Sequence, residues 1–432
     1  MTSELAEFTA ELDGNALPPA IGALVSQHVL DVLAGFHAGL SIPEAISVAT
    51  LTADGPAAFC GRLAMQCHAA ESDPIHSGTT LCAGLIAVPP ALMFSPDGAT
   101  AIAAVTAGYE TAIRIGEALG SSRLLGQGWW PTAVLGGAGA AAATARAMGL
   151  NADRTHHAVA LAVVQAGGIG TGAAEAPESR NLLAANTIRI GVEAAQSAAA
   201  GLQGPDDPLT GDRGFLAAFG FAPEPGRLLH NLGTDWKIAA TSLKAFPCAL
   251  QAQSALAALR DTMAAENISA SAIDAVEFGL PEAMRRIVDR PGSPGSRFAA
   301  AASLQFLTAA LICDGDILPE RMSDEGRISS DIVALTHKIS VTHAAGLDEA
   351  FPAAWPARVR ISTAAGVFEN EVRNPPGHPD SPLDMATTID RFHAYSRDRL
   401  SPDARNAIID GVQGLLSLRD LSPLTAHLRA IA

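Results

Sequence analysis

Residues Gly126 to Leu150 read GQGWWPTAVLGGAGAAAATARAMGL, and no other stretch constrains the fold as much. Pro131 suits the first turn of a helix, where its missing N–H goes unused, and Gly149 suits the stop. The spacing predicts a helix from about Pro131 to Met148. Between the proline and Arg146 it holds only Ala, Gly, Val and Leu apart from Thr132 and Thr144, so no face is polar enough to lie against water. Such a helix is buried on every side. Gly136, Gly137, Gly139 and the run Ala140 to Ala143 have almost no bulk, so other helices can approach its backbone closely. It reads as the central helix of an all-helical domain. A plain core helix does not account for Trp129 and Trp130 side by side at its mouth.

At 432 residues the chain is long enough for two domains. A composition 48% hydrophobic and 17% charged is that of a folded, enzyme-like protein. The net charge of −16, with no basic cluster, argues against a nucleic-acid partner and against attraction to an anionic membrane. An anionic substrate therefore needs positive charge supplied locally. Lys237, Lys244 and Lys338 are the only lysines, so a lysine inside a motif stands out. The five cysteines, Cys60, Cys67, Cys82, Cys248 and Cys313, have neither CxxC spacing nor a paired framework and read as reduced thiols of a cytoplasmic protein. The acidic N-terminus lacks the basic region and apolar run of a signal peptide. The apolar run Leu81 to Phe94 is broken by Pro89 and Pro90 and is too short to span a bilayer.

Apolar residues at helical spacing predict a helix over Leu17 to Gly39, and further helices at Pro43 to Leu51, Ala57 to Ala69, Ala99 to Leu119, Asp153 to Gln165 and Leu182 to Gly201. Between two of these lies ESDPIHSGTTLCAG, Glu71 to Gly84, a loop dense in Asp, His, Ser, Thr and Cys. Such loops between core helices are where chemistry tends to sit. The loop Gly167 to Asn181 is rich in glycine but lacks GxxxxGK[ST] and follows a helix, so it is no phosphate cradle. Beyond residue 235 the texture changes. Ala272 to Gly279, Ala357 to Ser362 and Gly366 to Val372 alternate at a period of two and read as strands, the last two forming a hairpin across Thr363 to Ala365. With helices at Ala252 to Ala265 and Ala299 to Ile312, they predict a smaller α+β domain over residues 236–384. Helix resumes over Thr387 to Leu418, a tail expected to pack back on the first domain.

Several stretches resemble the MmgE/PrpD family, whose fold is shared by 2-methylcitrate dehydratase, iminodisuccinate epimerase and cis-aconitate decarboxylase. They include GYETAIRIGEALG (Gly108 to Gly120), GWWPTAVLGGAGAAAATARAMGL, Arg189-x-Gly191-Val192, KAFPC (Lys244 to Cys248) and GHPDSPLD (Gly377 to Asp384). The resemblance runs from about residue 20 to 415. It implies a mainly α protein: a large all-helical domain built from both chain ends (residues 1–235 and 385–432), a smaller α+β lid (236–384), an active site in the cleft between them, and a homodimer. It also implies cofactor-free chemistry on the carbon next to a carboxylate, by loss of water, epimerisation or decarboxylation.

Carried over by motif, the family's aspartate and histidine fall on Asp73 and His76, and its later histidine on Cys82. The histidine of its G-[WF]-H-x-T motif falls on Trp130, with Thr132 as the threonine. A lysine falls on Arg180, the lysine of K-x-[YFW]-P is kept as Lys244, a tyrosine becomes Phe306, and Arg189 lies in a further matched motif. Taking a proton from carbon next to a carboxylate needs a base and a positive group for the growing enolate charge. The resemblance makes His76 the base or acid, Lys244 a carboxylate partner or proton donor, and Asp73 the group that orients His76 or accepts a substrate hydroxyl. Trp130, Thr132, Cys82, Arg180, Arg189 and Phe306 would line the substrate. Arg180 can bind but not relay a proton. With Trp130 and Phe306 apolar, a substrate with fewer carboxylates or a bulkier apolar part is expected. A lyase of dehydratase type leads, with an isomerase, or an inactive binding protein, as alternatives. No HxxxH, HxH or carboxylate cluster suggests a metal.

Overall fold

The computed structural model describes residues 2–43, 45, 54–170, 178–220, 223–317 and 319–431. Apart from Pro43 and Ala45, the helix expected at Pro43 to Leu51 lies outside them, as does much of the glycine-rich loop. The chain is mainly helical with one small mixed sheet. It divides into two compact units, Met1–Ser242 with Asp384–Ala432, and Leu243–Leu383.

Among the described residues, the N-terminal part of the first unit has eight longer helices: α1 (Thr2–Glu11), α2 (Pro19–Gly39), α3 (Pro56–Ala69), α4 (Ala83–Phe94), α5 (Gly98–Leu119), α6 (Pro131–Ala147), α7 (Ala152–Val163) and α8 (Glu178–Ala199). Five of these starts have a local cause. Asp97 accepts from the Thr100 N–H to cap α5, Asn151 does the same for α7 from Arg154, and α2, α3 and α6 begin on a proline. The α6 helix is buried along its length except at Arg146. Its small residues set the spacing of its neighbours: a Cβ on Gly139 would lie 2.7 Å from Ala112 Cβ on α5. On the other side, a Cβ on Gly191 of α8 would lie 2.5 Å from both Ala140 Cβ and Gly137 O. Glycine at these two positions is what lets three helices touch backbone to backbone.

One helix departs from the sequence expectation. Helix α4 runs straight through Pro89 and Pro90. The prolines remove two N–H donors from its ladder, and a helix apolar on all sides is held by its surroundings instead: every residue from Ala83 to Leu92 is buried. The one described helix long and apolar enough to cross a membrane is α2, and 72% of that window is buried within the protein.

From the chain's far end come α12 (Met385–Ser396) and α13 (Pro402–Gln413), with Ser422–Ile431 after them. Gln27 Nε2 on α2 donates to Thr388 Oγ1 at 3.0 Å, and Arg391 pairs with buried Asp31, so α12 is pinned to α2 by two polar contacts.

The second unit holds a four-stranded sheet in the order β2-β1-β3-β4, where β1 is Ile273–Leu280, β2 Ile339–His343, β3 Ala357–Thr363 and β4 Gly366–Val372. β1 runs parallel to β2 and antiparallel to β3, and β3 and β4 form the hairpin, Thr363 pairing with Gly366. Ala357, Val359 and Ile361 face inward, and the alternation is what made β3 legible. β2 was not foreseen: only Ile339 of its five residues is buried, so it carries little period-two signal. Helices α9 (Gln253–Ala265), α10 (Arg297–Ala301) and α11 (Leu304–Asp314) belong to this unit. Ser303, whose Oγ caps α11, divides the single helix expected over Ala299 to Ile312.

Candidate active site

The loop after α3 folds into a compact arch. Glu71 takes a left-handed backbone, φ 54°, and its N–H bonds back to His68 O at 3.0 Å. Ile75 then pairs with Ser242 and His76 with Leu81, closing the turn 77–80 before Cys82 starts α4. Cys82 N–H donates to Thr132 Oγ1 in the first turn of α6 at 3.2 Å. Trp130 precedes α6 and is anchored by its N–H to Gly168 O at 3.1 Å, while Arg180 lies in the first turn of α8. The beginnings of three helices thus meet at one place, which favours negative charge there.

Around this point the structure gathers Asp73, Cys82, Trp130, Thr132 and Arg180 with two residues that motif reading missed, His68 and Glu71. Arg180 Nη2 lies 2.9 Å from His68 Nε2 and 2.8 Å from Glu71 Oε1, and its guanidinium carbon stands 5.6 Å from the centre of the Trp130 ring. The His68 and Trp130 rings are 5.1 Å apart. His68 Nδ1 faces Asp73 Oδ2 at 3.5 Å, and Asp73 is fully buried. An arginine can only donate, so His68 Nε2 carries a lone pair and the ring proton is on Nδ1, toward Asp73. Arg180 is hydrogen-bonded to both His68 and Glu71, and Asp73 faces the far side of the same imidazole at ion-pair distance.

This corrects one pairing. Asp73 was expected to orient His76, but it faces His68. His76 bonds within its own turn, with Nδ1 2.8 Å from Thr79 Oγ1 and accepting from the Thr79 N–H at 3.2 Å. Nδ1 therefore holds the lone pair, and the neutral ring presents an N–H at Nε2. Burial, reinforced by the Lys237 ammonium, brings this imidazole down from 6.5 to about 4. Lys237 is itself set by the GYETAIRIGEALG stretch. Buried Arg114 bonds Glu110 Oε2 at 2.7 Å and the carbonyls of His230 and Asp235, and Glu110 Oε1 receives the Lys237 N–H at 2.6 Å. Burial pushes the Glu110 carboxyl up while Arg114 pulls it back. The Lys237 Nζ then sits 3.0 Å from Glu117 and 2.8 Å from Asp235.

Arg189 does not join the cluster. Its Nη2 lies 3.5 Å from Glu193 one turn along α8, and its side chain is 33% exposed. Lys244 and Phe306 belong to the second unit. Both are buried, Phe306 within α11. Gln253 clamps the KAFPC turn by accepting from Phe246 N–H at 3.0 Å and donating to Phe246 O at 2.8 Å. A separate cavity between α6, α7 and α8, lined by Gln165, Asn186 and Thr187 among others, shares no side chain with the cluster.

Among the described residues, His68, Asp73 and Cys82 form the one group of three donors close enough to hold a metal ion, their ligand atoms all within 4.8 Å of one another. Their spacing along the chain matches no metal motif.

Comparison with known proteins identifies the family. Residues 57–227 match the MmgE/PrpD N-terminal domain and residues 246–415 the MmgE/PrpD C-terminal domain. The chain is 26% identical over 284 residues to the cis-aconitate decarboxylase-like protein oryM of Aspergillus oryzae, covering 57% of this chain and 58% of that protein. It is 26% identical over 309 residues to human cis-aconitate decarboxylase, covering 69% and 62%. The match to both thus spans about three-fifths of their length. With cis-aconitate decarboxylase of Aspergillus terreus it shares 23% identity over 466 aligned positions, covering 98% of this chain and 95% of that one. With family models matched over most of its length, the chain belongs to the MmgE/PrpD family.

Proposed function

We propose that this protein is a cofactor-independent lyase of dehydratase type, acting on a small carboxylic acid by removing a proton next to the carboxylate. The observation that carries the reading is the His68 ring, whose Nε2 lone pair faces Arg180 while Asp73 stands on its Nδ1 side. In this reading Arg180 takes the substrate carboxylate and Trp130 walls the apolar part. The Cα–H bond breaks, its proton passes to His68 Nε2, and the electron pair is held as an enediolate against Arg180. Asp73 stabilises the imidazolium that forms. Collapse of the enediolate expels a β-hydroxyl, which leaves as water after taking a proton from the enzyme. The reaction uses residues of the first unit alone.

The same base at His68 serves a second reading, an isomerase, since both reactions begin with removal of that proton. Incubation with a panel of small hydroxy acids and dicarboxylic acids in D₂O, followed by proton NMR, separates the two. Loss of the α-proton signal together with an alkene product supports the lyase; deuterium at Cα without net elimination supports the isomerase. If no acid exchanges or eliminates, both readings fail.

A further inference from the structure

We infer that Glu71 is a built-in substitute for the substrate's carboxylate, holding Arg180 across the His68 lone pair until a carboxylate ligand takes its place. The inference rests on the function proposed above. A ring nitrogen has one lone pair, and His68 Nε2 spends it on Arg180 Nη2. While that contact stands, His68 cannot take a proton from a substrate. The same Nη2 donates its second hydrogen to Glu71 Oε1 at 2.8 Å. Both side chains of this ion pair are mostly buried, 15% exposed for Arg180 and 14% for Glu71, so the pair is a strong one rather than a solvent-screened contact. Glu71 reaches it from a left-handed backbone, a conformation that costs a non-glycine residue energy and that collects at working sites.

A carboxylate is what Arg180 would receive from the substrate, and Glu71 already presents one. The two anions compete for one guanidinium. A carboxylate ligand that wins draws Arg180 away from Glu71 and from His68 in one movement, and the base is exposed only when the correct charge has bound. A neutral analogue of the same shape has nothing with which to draw the arginine, so it meets a capped base. Glu71 is accordingly a positioning residue that sets specificity for anions, and it does not touch the reacting carbon.

The test uses malonate and its neutral diamide, malonamide, with the full chain. In the free protein, ¹⁵N NMR of the histidine rings, assigned with His68→Gln, should show the His68 proton on Nδ1. Malonate should shift the Nε2 resonance, and malonamide should leave it in place. Glu71→Gln removes the rival charge while keeping shape and backbone, and should bind malonate about tenfold more tightly. Once a substrate is found, the same variant should lower KM. A second variant, Arg180→Met, removes the cap altogether, so malonate should no longer move the His68 resonance. Glu71→Gln binding malonate no better than the natural protein, or a His68 ring that ignores malonate, overturns the inference while the D₂O exchange result still decides the proposed function. Tighter malonate binding by Glu71→Gln alongside a complete lack of exchange with any acid would leave the anion seat standing and remove the lyase.

Discussion

Arg180 Nη2 and His68 Nε2 lie 2.9 Å apart, joining two side chains that are 112 positions apart in sequence. Because the guanidinium stacks over Trp130 and splits one nitrogen between an imidazole and a carboxylate, its planar fork matters as much as its charge. Arg180→Met should weaken carboxylate binding by about 2–5 kcal/mol. Arg180→Lys should recover only part of that loss, since an ammonium is a point charge without the flat face. Calorimetric titration with a small dicarboxylate reads both; equal affinity in the lysine variant and the natural protein would show that the fork contributes nothing.

His68 and His76 should respond unequally to replacement. His68→Gln removes the lone pair that takes the proton, and a general base of this kind contributes roughly 10²–10⁴-fold in rate. His76→Ala removes an N–H donor whose ring is neutral near pH 7, and its loss should be smaller than that of His68→Gln. Single-turnover rates in D₂O, on variants whose thermal unfolding matches the parent, rank them. A larger loss at His76 would return the base to that residue.

Why motif reading found His76 and not His68 is a matter of where each sits. His68 is in the last turn of α3, a helix whose other residues from Ala57 to Cys67 are buried except half-buried Arg62. There it is indistinguishable from any core histidine until Arg180 arrives from α8. Arg189 was a candidate because it stands in a matched motif on the same helix as Arg180. The two are nine positions apart, about two and a half turns, which sends their side chains to opposite faces. The central helix was legible because proline and glycine mark its ends and because nothing in it tolerates water. The prolines of α4 carried the same punctuation and misled, since burial on all sides outweighed two missing N–H donors. The four-helix meeting point at Cys82, Trp130, Arg180 and the end of α3 is a tertiary fact that no local pattern encodes.

Acid should destabilise the protein before the carboxylates titrate. Burial brings His28 and His37 down from 6.5 to about 3, His37 with added repulsion from His427 and Arg399, and His76 to about 4. The unfolded chain, with these rings near 6.5, binds more protons over that interval. Their contribution is therefore complete above about pH 6.5 and is lost as pH falls through 6 and 5 toward 4 and 3, by up to ~1.4 kcal/mol per pH unit for each ring. Urea unfolding at a series of pH values should show this slope, and His28→Gln should flatten it. His28 Nδ1 lies 2.8 Å from the Tyr109 hydroxyl, so the glutamine keeps a partner for that group. Stability that stays level between about pH 7 and pH 5 would mean that these rings are charged in the folded protein.

Replacing glycine by alanine should have opposite signs at two helical positions. At Gly22 on α2 a new Cβ meets nothing within 4 Å. Gly22→Ala should then stabilise by about 0.4–1 kcal/mol, through the lower entropy of the unfolded chain. At Gly191 on α8 the new methyl would sit 2.5 Å from Ala140 Cβ and from Gly137 O, both on α6. No side chain can rotate away there, because one contact is to backbone and the other to a methyl with no rotamer. Either α6 and α8 separate or the backbone distorts, and such overpacking costs about 1–3 kcal/mol. Denaturation midpoints of the two variants, compared with the parent, measure the difference directly. The start of α8 carries Arg180 and the start of α6 follows Trp130, so forcing these helices apart also moves the guanidinium off the indole. Gly191→Ala should consequently lose carboxylate affinity as well as stability, whereas Gly22→Ala keeps its affinity. A Gly191→Ala protein as stable as the parent would mean that α6 and α8 are not in backbone contact.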